Sequence, residues 1–314
     1  MPRTGTTHRK KKVGGRRKYT RKFKKMNCHP GVDGKTSVDD SCLTDDVLLQ
    51  LKQSFNESHP DKQITHDAPK KIWSDLKRKL KTCNKEDCWL DTISDPIVRR
   101  KIDTLSFAPD HPASWKHDTD EWLSNFDIAD VLKQYESTYN NFKMLGPSPI
   151  DFDTRLPEEG GECVWKDLCM FHVKDYLESG KTKIGMVFNL DHHGQGGSHW
   201  VSMFVDLDDH FIFFMDSAGD TIPPEIDALA KRIIDQGLAL DTPMHIHFHE
   251  NCPMEHQYGN NECGMYSLYF IVTMLTNKTE KKVFKNYVDK IAFFKNKRIP
   301  DKYMNQYRKK YFNS

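Results

Sequence analysis

Apolar residues recur at helical spacing in the first third of the chain. One run follows Thr44, a residue type that often caps a helix, and another follows Pro69, a residue favoured in the first helical turn. Each run has apolar positions on one face: Leu48, Leu51 and Phe55 in the first, Ile72, Leu76 and Leu80 in the second. The pattern predicts two amphipathic helices within a small helical region, which we assign to residues 36–105.

From Trp115 onward the chain alternates between strand and helix patterns. The predicted elements, in order, are a helix through Ile128 and Tyr135, a loop at Gly146–Pro149, a helix near 165–179, strands near 183–190, 199–206 and 210–216, a helix near 223–238, a strand near 243–249, a helix that begins at Cys263, and two C-terminal helices. This mixture predicts an α+β domain, which we assign to residues 106–314.

The candidate chemistry starts with Cys263, the first residue of a long apolar run that ends at Leu275. The polar loop before this run places the cysteine at a helix N-terminus, where the helix dipole favours an anion such as a thiolate. A single buried cysteine is more often an inert small hydrophobe than a nucleophile. The catalytic interpretation therefore depends on complementary residues elsewhere in the chain.

Two such residues lie on neighbouring predicted strands. His199 follows a glycine-rich loop at the start of one strand, and Asp216 ends the next strand, seventeen residues later. A hairpin between these strands would bring the carboxylate back beside the imidazole. We predict that His199 is the general base and that Asp216 orients it and stabilises its protonated form.

Gln257 lies six residues before Cys263 and completes the candidate set. Its side-chain amide, with the backbone N–H of Cys263, would donate hydrogen bonds to a developing oxyanion. Taken alone, a glutamine in a polar loop is usually just solvated. Four residue types with complementary roles, each on a suitable element, favour a cysteine protease over that reading.

The order His199, Asp216, Gln257, Cys263 resembles that of the ubiquitin-like-protein-specific proteases, a family grouped with the adenovirus-type endopeptidases. The resemblance extends to Trp200, to Ser217 and to the Asn261-Glu262-Cys263-Gly264 stretch. It covers residues 115–290 and implies a papain-like protease core of the ubiquitin-like-protease type, with a mixed central sheet flanked by helices. Glu262 departs from the family pattern, which commonly has Asp at that position.

The segment from Glu121 to Ile128 resembles the Trp-Leu-Asn-Asp entry motif of this family, although Ser124-Asn125 replaces the usual Asn-Asp. The resemblance implies that Trp122 and Trp200 are substrate-binding residues that form the walls of a narrow tunnel. Such a tunnel admits glycine-rich segments because glycine lacks a Cβ atom. For each tryptophan the alternative is ordinary core packing.

A narrower resemblance links the chain to the thiol proteases of large nucleocytoplasmic DNA viruses. It rests on the segment 141–152, on the Cys83 to Trp89 stretch and on the basic leader. We therefore expect an intracellular protein, in the virion or in the host cytoplasm or nucleus.

Charge is unevenly distributed along the 314 residues. Residues 1–25 hold 12 Lys or Arg and no acidic residue, which leaves 47 − 12 = 35 basic residues against 45 acidic ones in the remainder. A leader this charged cannot bury a core, so we predict a basic disordered arm over residues 1–35. We expect it to contact nucleic acid or to act as a nuclear address, and the alternative is a solubilising tail.

The eight cysteines are widely spaced, and a thiolate enzyme needs a reducing compartment, so we expect no structural disulfides. The Cys83/Cys88 pair lacks a second close pair at zinc-finger spacing. We therefore predict neither metal nor cofactor. No apolar span is long enough for a membrane helix or a secretory signal, so no membrane partner is expected.

The leading hypothesis is a cysteine endopeptidase that acts on protein substrates after Gly-Gly-type or Ala-Gly-type sites. The viral resemblance implies maturation of virion core or structural precursors. Alternatives are a deconjugase for SUMO or another ubiquitin-like modifier, and a nucleic-acid-binding structural virion protein. A further alternative is an acyltransferase with the same nucleophile set.

Overall fold

A mixed five-stranded sheet organises the larger part of the chain, in a computed structural model that describes residues 22–81, 83–117 and 121–314. Its strands in spatial order are β1 (Phe142–Pro149), β4 (Lys183–Asn189), β5 (Trp200–Asp206), β6 (Phe211–Met215) and β7 (His247–Glu250). The β4, β5 and β6 strands are antiparallel, and β1 and β7 add parallel at the two edges. Two short strands, β2 (Arg155–Leu156) and β3 (Glu162–Cys163), form a separate ribbon.

Some of the helices pack around this sheet, and others precede it in the chain. They are α1 (Asp45–Ser58), α2 (Pro69–Lys79), α3 (Pro96–Ser106), α4 (Asn125–Thr138), α5 (Lys166–Cys169), α6 (Val173–Glu178), α7 (Pro224–Leu238), α8 (Cys263–Thr276), α9 (Tyr287–Asn296) and α10 (Asp301–Tyr311). Short 3₁₀ turns lie at Pro30–Val32, Asp87–Thr92, Ala113–Lys116 and Pro157–Glu159. The α+β class with a mixed central sheet flanked by helices is confirmed.

Both faces of the central sheet are buried. Along β5, Trp200 and Phe204 pack into one core with α8, whereas Val201, Met203 and Val205 pack into a second core with α7. This division follows from the two-residue period of a strand. Because α8 lies inside the first core, its residues from Cys263 to Leu275 are all buried, and the helix is apolar on every side.

The N-terminal helices have a core of their own. It contains the faces predicted from the sequence, and Trp89 is fully buried within it. This core is joined to the rest of the chain by the side chain of Asn313, which accepts a hydrogen bond from Asn27 N at 2.7 Å and donates to the carbonyls of Asn27 and Ala108 at 3.0 and 2.9 Å. The helices α1, α2 and α3 are thus held next to the C-terminal residues.

The predicted disordered arm over residues 1–35 is contradicted where the structure describes it. Residues 1–21 lie outside the described residues, but residues 22–35 are packed: Met26 and Val32 are buried, and Lys24 N donates to Asn84 O. The prediction of disorder was wrong for 22–35 because apolar positions follow the basic run and give this segment a surface to bury.

Two element predictions were also wrong. The predicted loop at Gly146–Pro149 belongs to β1, whose pairing with β4 is irregular between Leu145 and Ser148. An edge strand tolerates proline at such an irregularity because the missing N–H breaks no regular ladder. The predicted helix near 165–179 is split into α5 and α6, where Gln236 of α7 binds Phe171 O and Val173 N at 3.0 and 2.9 Å.

The expectation of no structural disulfides is contradicted as well. Among the described residues, the disulfide pairs are Cys28–Cys42, Cys83–Cys88 and Cys163–Cys169, and Cys252 and Cys263 remain free. Spacing along the chain did not reveal the Cys28–Cys42 pair because that pairing depends on how the 22–35 segment packs. No helix within the described ranges is long and apolar enough to cross a bilayer.

We predict that Asn313→Ala lowers the free energy of unfolding by about 1 to 3 kcal/mol, because it leaves buried backbone groups at the junction without their partner. Asn313 is 4% exposed, so water cannot easily replace the amide. Asn305→Ala, on the exposed surface of α10, is the matched control and should change stability by about 0.5 kcal/mol or less. Urea unfolding of the full chain measures the free energy of unfolding of both variants. Equal free energies for Asn313→Ala and Asn305→Ala would contradict this role for Asn313.

Candidate active site

The sheet and α8 bring three of the predicted residues to one edge. His199 immediately precedes β5 and Asp216 immediately follows β6, and these strands are antiparallel neighbours with Ser202 opposite Met215. The two side chains therefore emerge at the same end of the strand pair. Cys263 is the first residue of α8, and the buried packing of α8 against β5 places its sulfur at this end.

His199 interacts with both Asp216 and Cys263. Its Nε2 lies 2.7 Å from Asp216 Oδ1, and Cys263 lies close enough to raise the pKa of the imidazole. Because Nε2 is engaged by the carboxylate, Nδ1 is the ring nitrogen left for the sulfur. This is the order of contacts that nucleophile, base and orienting acid require.

The electrostatics favour a charged imidazole. Burial lowers the pKa of His199, but the hydrogen bonds and negative charges of Asp216 and Cys263 outweigh this effect and raise the pKa to about 10. His199 is therefore protonated at neutral pH and faces the sulfur as a cation. An imidazolium in this position is the arrangement that stabilises a thiolate nucleophile.

Asp216 is fixed by Asn251, a residue that the sequence analysis did not select. The Asn251 side chain accepts from Asp216 N at 2.9 Å and donates to Asp216 O at 2.6 Å, so it binds the backbone of Asp216 on both sides. Asp216 Oδ1 also accepts from Ala218 N at 2.8 Å. Asn251 is 1% exposed, and no signal in the sequence distinguishes it from any other polar residue at a strand end.

Gln257 is oriented by Ser217, the residue after Asp216. Its Oε1 accepts from Ser217 Oγ at 2.8 Å, and its Nε2 donates to Gly259 O at 2.9 Å. The backbone N–H groups of His256 and Gln257 both donate to Ser217 O at 2.9 Å. One hydrogen of the Gln257 amide remains after these contacts, and the Cys263 N–H, in the first turn of α8, has no partner within its own helix.

The two predicted tryptophans also lie at this site. Trp200 is 8% exposed and donates from Nε1 to Leu123 O at 2.9 Å, whereas Trp122 is 40% exposed and donates to Asn261 Oδ1 at 3.0 Å. At Gly264, next to the nucleophile, a Cβ atom would lie 3.3 Å from Trp200 Cδ1 and 3.1 Å from Leu123 Cβ. A side chain at this position would crowd Trp200 and Leu123, which glycine avoids.

The chain is similar to known proteins. Residues 181–313, which include His199, Asp216, Gln257 and Cys263, match the model of the Ulp1 protease family, C-terminal catalytic domain. A protein of Acanthamoeba polyphaga mimivirus that is named as a thiol protease is 32% identical over 161 residues, which are 50% of this chain and 49% of that relative. The chain thus matches about half the length of that relative.

A second relative is a protein of African swine fever virus that is named as a SUMO-1 cysteine protease. It is 25% identical over 255 residues, which cover 74% of this chain and 89% of the relative. The crystal structure of a protease of the same virus has a TM-score of 0.61 and 21% sequence identity, and the match covers 93% of this chain and 97% of that one. This structural likeness confirms the fold.

The family match over the segment that holds all four polar candidates, the viral relatives named as thiol and cysteine proteases, and the shared fold confirm the resemblance inferred from the sequence. Residues 181–313 are thus similar to the catalytic domain of the Ulp1 protease family, and the viral relatives are named as cysteine and thiol proteases.

Proposed function

We propose that the protein is a cysteine endopeptidase that cleaves after Gly-Gly-type or Ala-Gly-type sites, and that it matures viral core or structural precursor proteins. The observation that carries this proposal is the position of the His199 ring, which is hydrogen-bonded to Asp216 and lies close enough to Cys263 for that residue to raise its pKa. The maturation role is proposed because the relatives named as proteases are viral proteins. We also propose that the enzyme acts in the virion or in the cytoplasm or nucleus of the host cell.

The proposed reaction starts with attack of the Cys263 thiolate on the scissile carbonyl carbon. The carbonyl oxygen becomes an oxyanion, which accepts hydrogen bonds from Cys263 N–H and the Gln257 amide. As the C–N bond breaks, His199 gives its proton to the leaving amine, and a thioester remains on the sulfur. His199 then takes a proton from a water molecule, which attacks the thioester and releases the acid product.

The glycine preference is proposed from Trp122 and Trp200, which border the approach to Cys263. Trp200 packs against Gly264, and Trp122 binds Asn261, so both rings are tied to the chain that flanks the nucleophile. An extended segment that passes between two such rings has little room for a Cβ atom. Glycine at the two positions before the cut satisfies this restriction.

A deconjugase for SUMO or another ubiquitin-like modifier is the alternative within the same chemistry. It is supported by the name of the African swine fever virus relative, a SUMO-1 cysteine protease. Reaction of Cys263 with a modifier that carries a C-terminal vinyl sulfone would favour the deconjugase. Cleavage of precursor peptides without such labelling would favour the endopeptidase.

A second candidate function, nucleic-acid binding, is favoured by a basic groove at the junction with the helical region. The groove has a volume of about 620 Å³, and no Asp or Glu side chain is among its lining residues. Its basic residues are Lys24, Lys25, Lys85, Arg308 and Lys309. Lys25 and Lys85 pair with Asp40 and Asp87, and Arg308 is buried, so the exposed side chains of Lys24 and Lys309 are the groove's available positive charges.

This groove lies where the chain emerges from its basic N-terminal residues, because Lys22 and Lys24 line an adjoining groove. We propose that the two grooves contact the phosphate backbone of a nucleic acid together with residues 1–21. The exposed side chains of Lys24 and Lys309 would neutralise phosphates and release their counterions, irrespective of base sequence. Binding of this kind would leave the peptidase site free.

The proposed peptidase activity predicts that Cys263→Ala abolishes cleavage of tagged Gly-Gly peptides, because no other group replaces the thiolate. The matched control is Cys252→Ala, which removes the other free thiol of the described residues and should keep full activity. Cleavage is followed by mass spectrometry of the new termini. Equal activity of the two variants, or no cleavage by the unmodified protein, would refute the proposal.

The proposed role of His199 as proton donor predicts a dependence on pH. With a pKa of about 10, His199 keeps its proton through neutral pH, and kcat/KM for amide substrates should fall only as pH rises through about 10. In Asp216→Asn the pKa of His199 is lower, so this alkaline limb should move down by about 1 to 3 pH units. An ester with a good leaving group is the control because it needs no proton from His199. If kcat/KM for amide substrates fell at the same pH in the unmodified protein and in Asp216→Asn, the role of His199 as proton donor would be contradicted.

The basic groove predicts that the double variant Lys24→Glu/Lys309→Glu weakens binding of a DNA of about 20 nucleotides and lowers the slope of log K against log salt by about 1 per lost phosphate contact. The control, Lys101→Glu/Lys285→Glu, makes the same charge change at exposed positions outside the groove. Fluorescence anisotropy at several salt concentrations measures both. An equal loss of DNA affinity in the two double variants would show that binding depends on net charge alone, which would contradict a role for the groove.

A further inference from the structure

The short segment before α4 is tied to the active site at three consecutive residues. Glu121 O accepts from Arg308 Nη1 at 2.8 Å, Trp122 Nε1 donates to Asn261 Oδ1 at 3.0 Å, and Leu123 O accepts from Trp200 Nε1 at 2.9 Å. Packing alone does not fix Trp122, whose side chain is one of the exposed large hydrophobic groups. The position of its ring therefore depends on these hydrogen bonds.

Arg308 closes this arrangement from α10. While Nη1 binds Glu121 O, its Nη2 donates to Asn261 O at 2.9 Å, so one guanidinium holds the carbonyl before Trp122 and a carbonyl two residues before Cys263. The Asn261 side chain binds Trp122 in turn, and the result is a closed ring of hydrogen bonds from Arg308 through Trp122 to Asn261 and back. Such a ring fixes the separation between Trp122 and the nucleophile loop.

The chemistry of the side chain suits this bridging role. Arg308 is 3% exposed, and its cation lies 4.7 Å from the centre of the Trp115 ring, which supports the plane of the guanidinium. A planar guanidinium presents several donors at fixed angles and binds two acceptors at once, whereas a lysine ammonium acts as a point charge on a flexible stem. Lysine at this position would keep the charge but lose the geometry.

We propose that Arg308 is a positioning residue that sets the width of the substrate passage between Trp122 and Trp200, and so determines how strongly the enzyme prefers glycine over larger residues. The proposal rests on the proposed peptidase function. Arg308 acts through Trp122 and Asn261 and does not touch the reacting atoms. Its loss should therefore change which substrates are accepted more than it changes the nucleophile.

The experiment compares kcat/KM for two peptides, Gly-Gly-X and Val-Gly-X, in the full chain and in Arg308→Lys. We expect the preference for Gly-Gly to fall about tenfold, the size of effect expected when hydrogen bonds from a charged group are lost. The rate of Cys263 alkylation by iodoacetamide, and its pH profile, should not change. A merely structural role would lower both peptide rates together and slow alkylation.

The matched control is Arg232→Lys, which alters another arginine that binds a main-chain carbonyl, Leu168 O at 2.7 Å, far along the chain from the site. It should leave the preference unchanged. If Arg308→Lys does not fold, Asn261→Ala opens the same ring by removing the acceptor of Trp122 Nε1, and it should relax the preference in the same way. An unchanged Gly-Gly preference in the folded variant would overturn the proposal.

Failure of the proposed peptidase function can be distinguished from failure of the positioning role of Arg308. If the unmodified protein cleaves neither peptide, the peptidase proposal is refuted. The positioning role can still be tested by acrylamide quenching of tryptophan fluorescence. The contribution of Trp122 is the difference in fluorescence between a protein that has Trp122 and the same protein with Trp122→Phe. Greater quenching in Arg308→Lys than in the unmodified protein supports the role. Equal quenching refutes it.

Discussion

The hydrogen bond between His199 and Asp216 is the interaction on which the active site depends. It fixes the ring and leaves the second nitrogen free for the sulfur, and together with the interaction with Cys263 it offsets the cost of burying a cation. Neither partner lies within a strand: one residue precedes β5 and the other follows β6. The bond therefore forms only if the two strands pair in one register, since a slip of one residue would turn either side chain to the other face.

The chain around Asp216 and Ser217 shows how one short turn serves two parts of the chemistry. Asn251 holds the backbone of Asp216 from the end of β7, while Ser217 holds the amide and main chain of Gln257. The carboxylate that steers the base and the amide proposed for the oxyanion are thus fixed by adjacent residues. A movement of this turn would disturb both together, so the effects of substitutions here should not be additive.

The sequence was most informative where a residue type has a chemical role. Cys263, His199 and Asp216 were selected because a nucleophile, a base and an orienting acid must occur together, and the structure places them at the strand and helix ends that the patterns predicted. The boundaries of β4, β5 and α7 followed from apolar periodicity. Asn251 and Arg308 were missed because each acts on main-chain groups, and a contact with a carbonyl leaves no trace in the pattern of residue types. Other errors came from tertiary contacts that override local signals: the Gly146-Pro147 dipeptide suggested a loop, yet the neighbouring Met144 and Leu145 are buried and hold the segment in β1.

The C-terminal residues link the helical region to the active site. Asn313 binds Asn27 and Ala108 at the junction, and Arg308, about one and a half turns earlier along the chain, binds the main chain beside Trp122 and Cys263. A displacement of α10 would therefore affect the packing of the N-terminal core and the substrate passage at once. This connection gives the helical region a physical route to influence catalysis, although none of its own side chains reaches the catalytic residues through a hydrogen bond among the described residues.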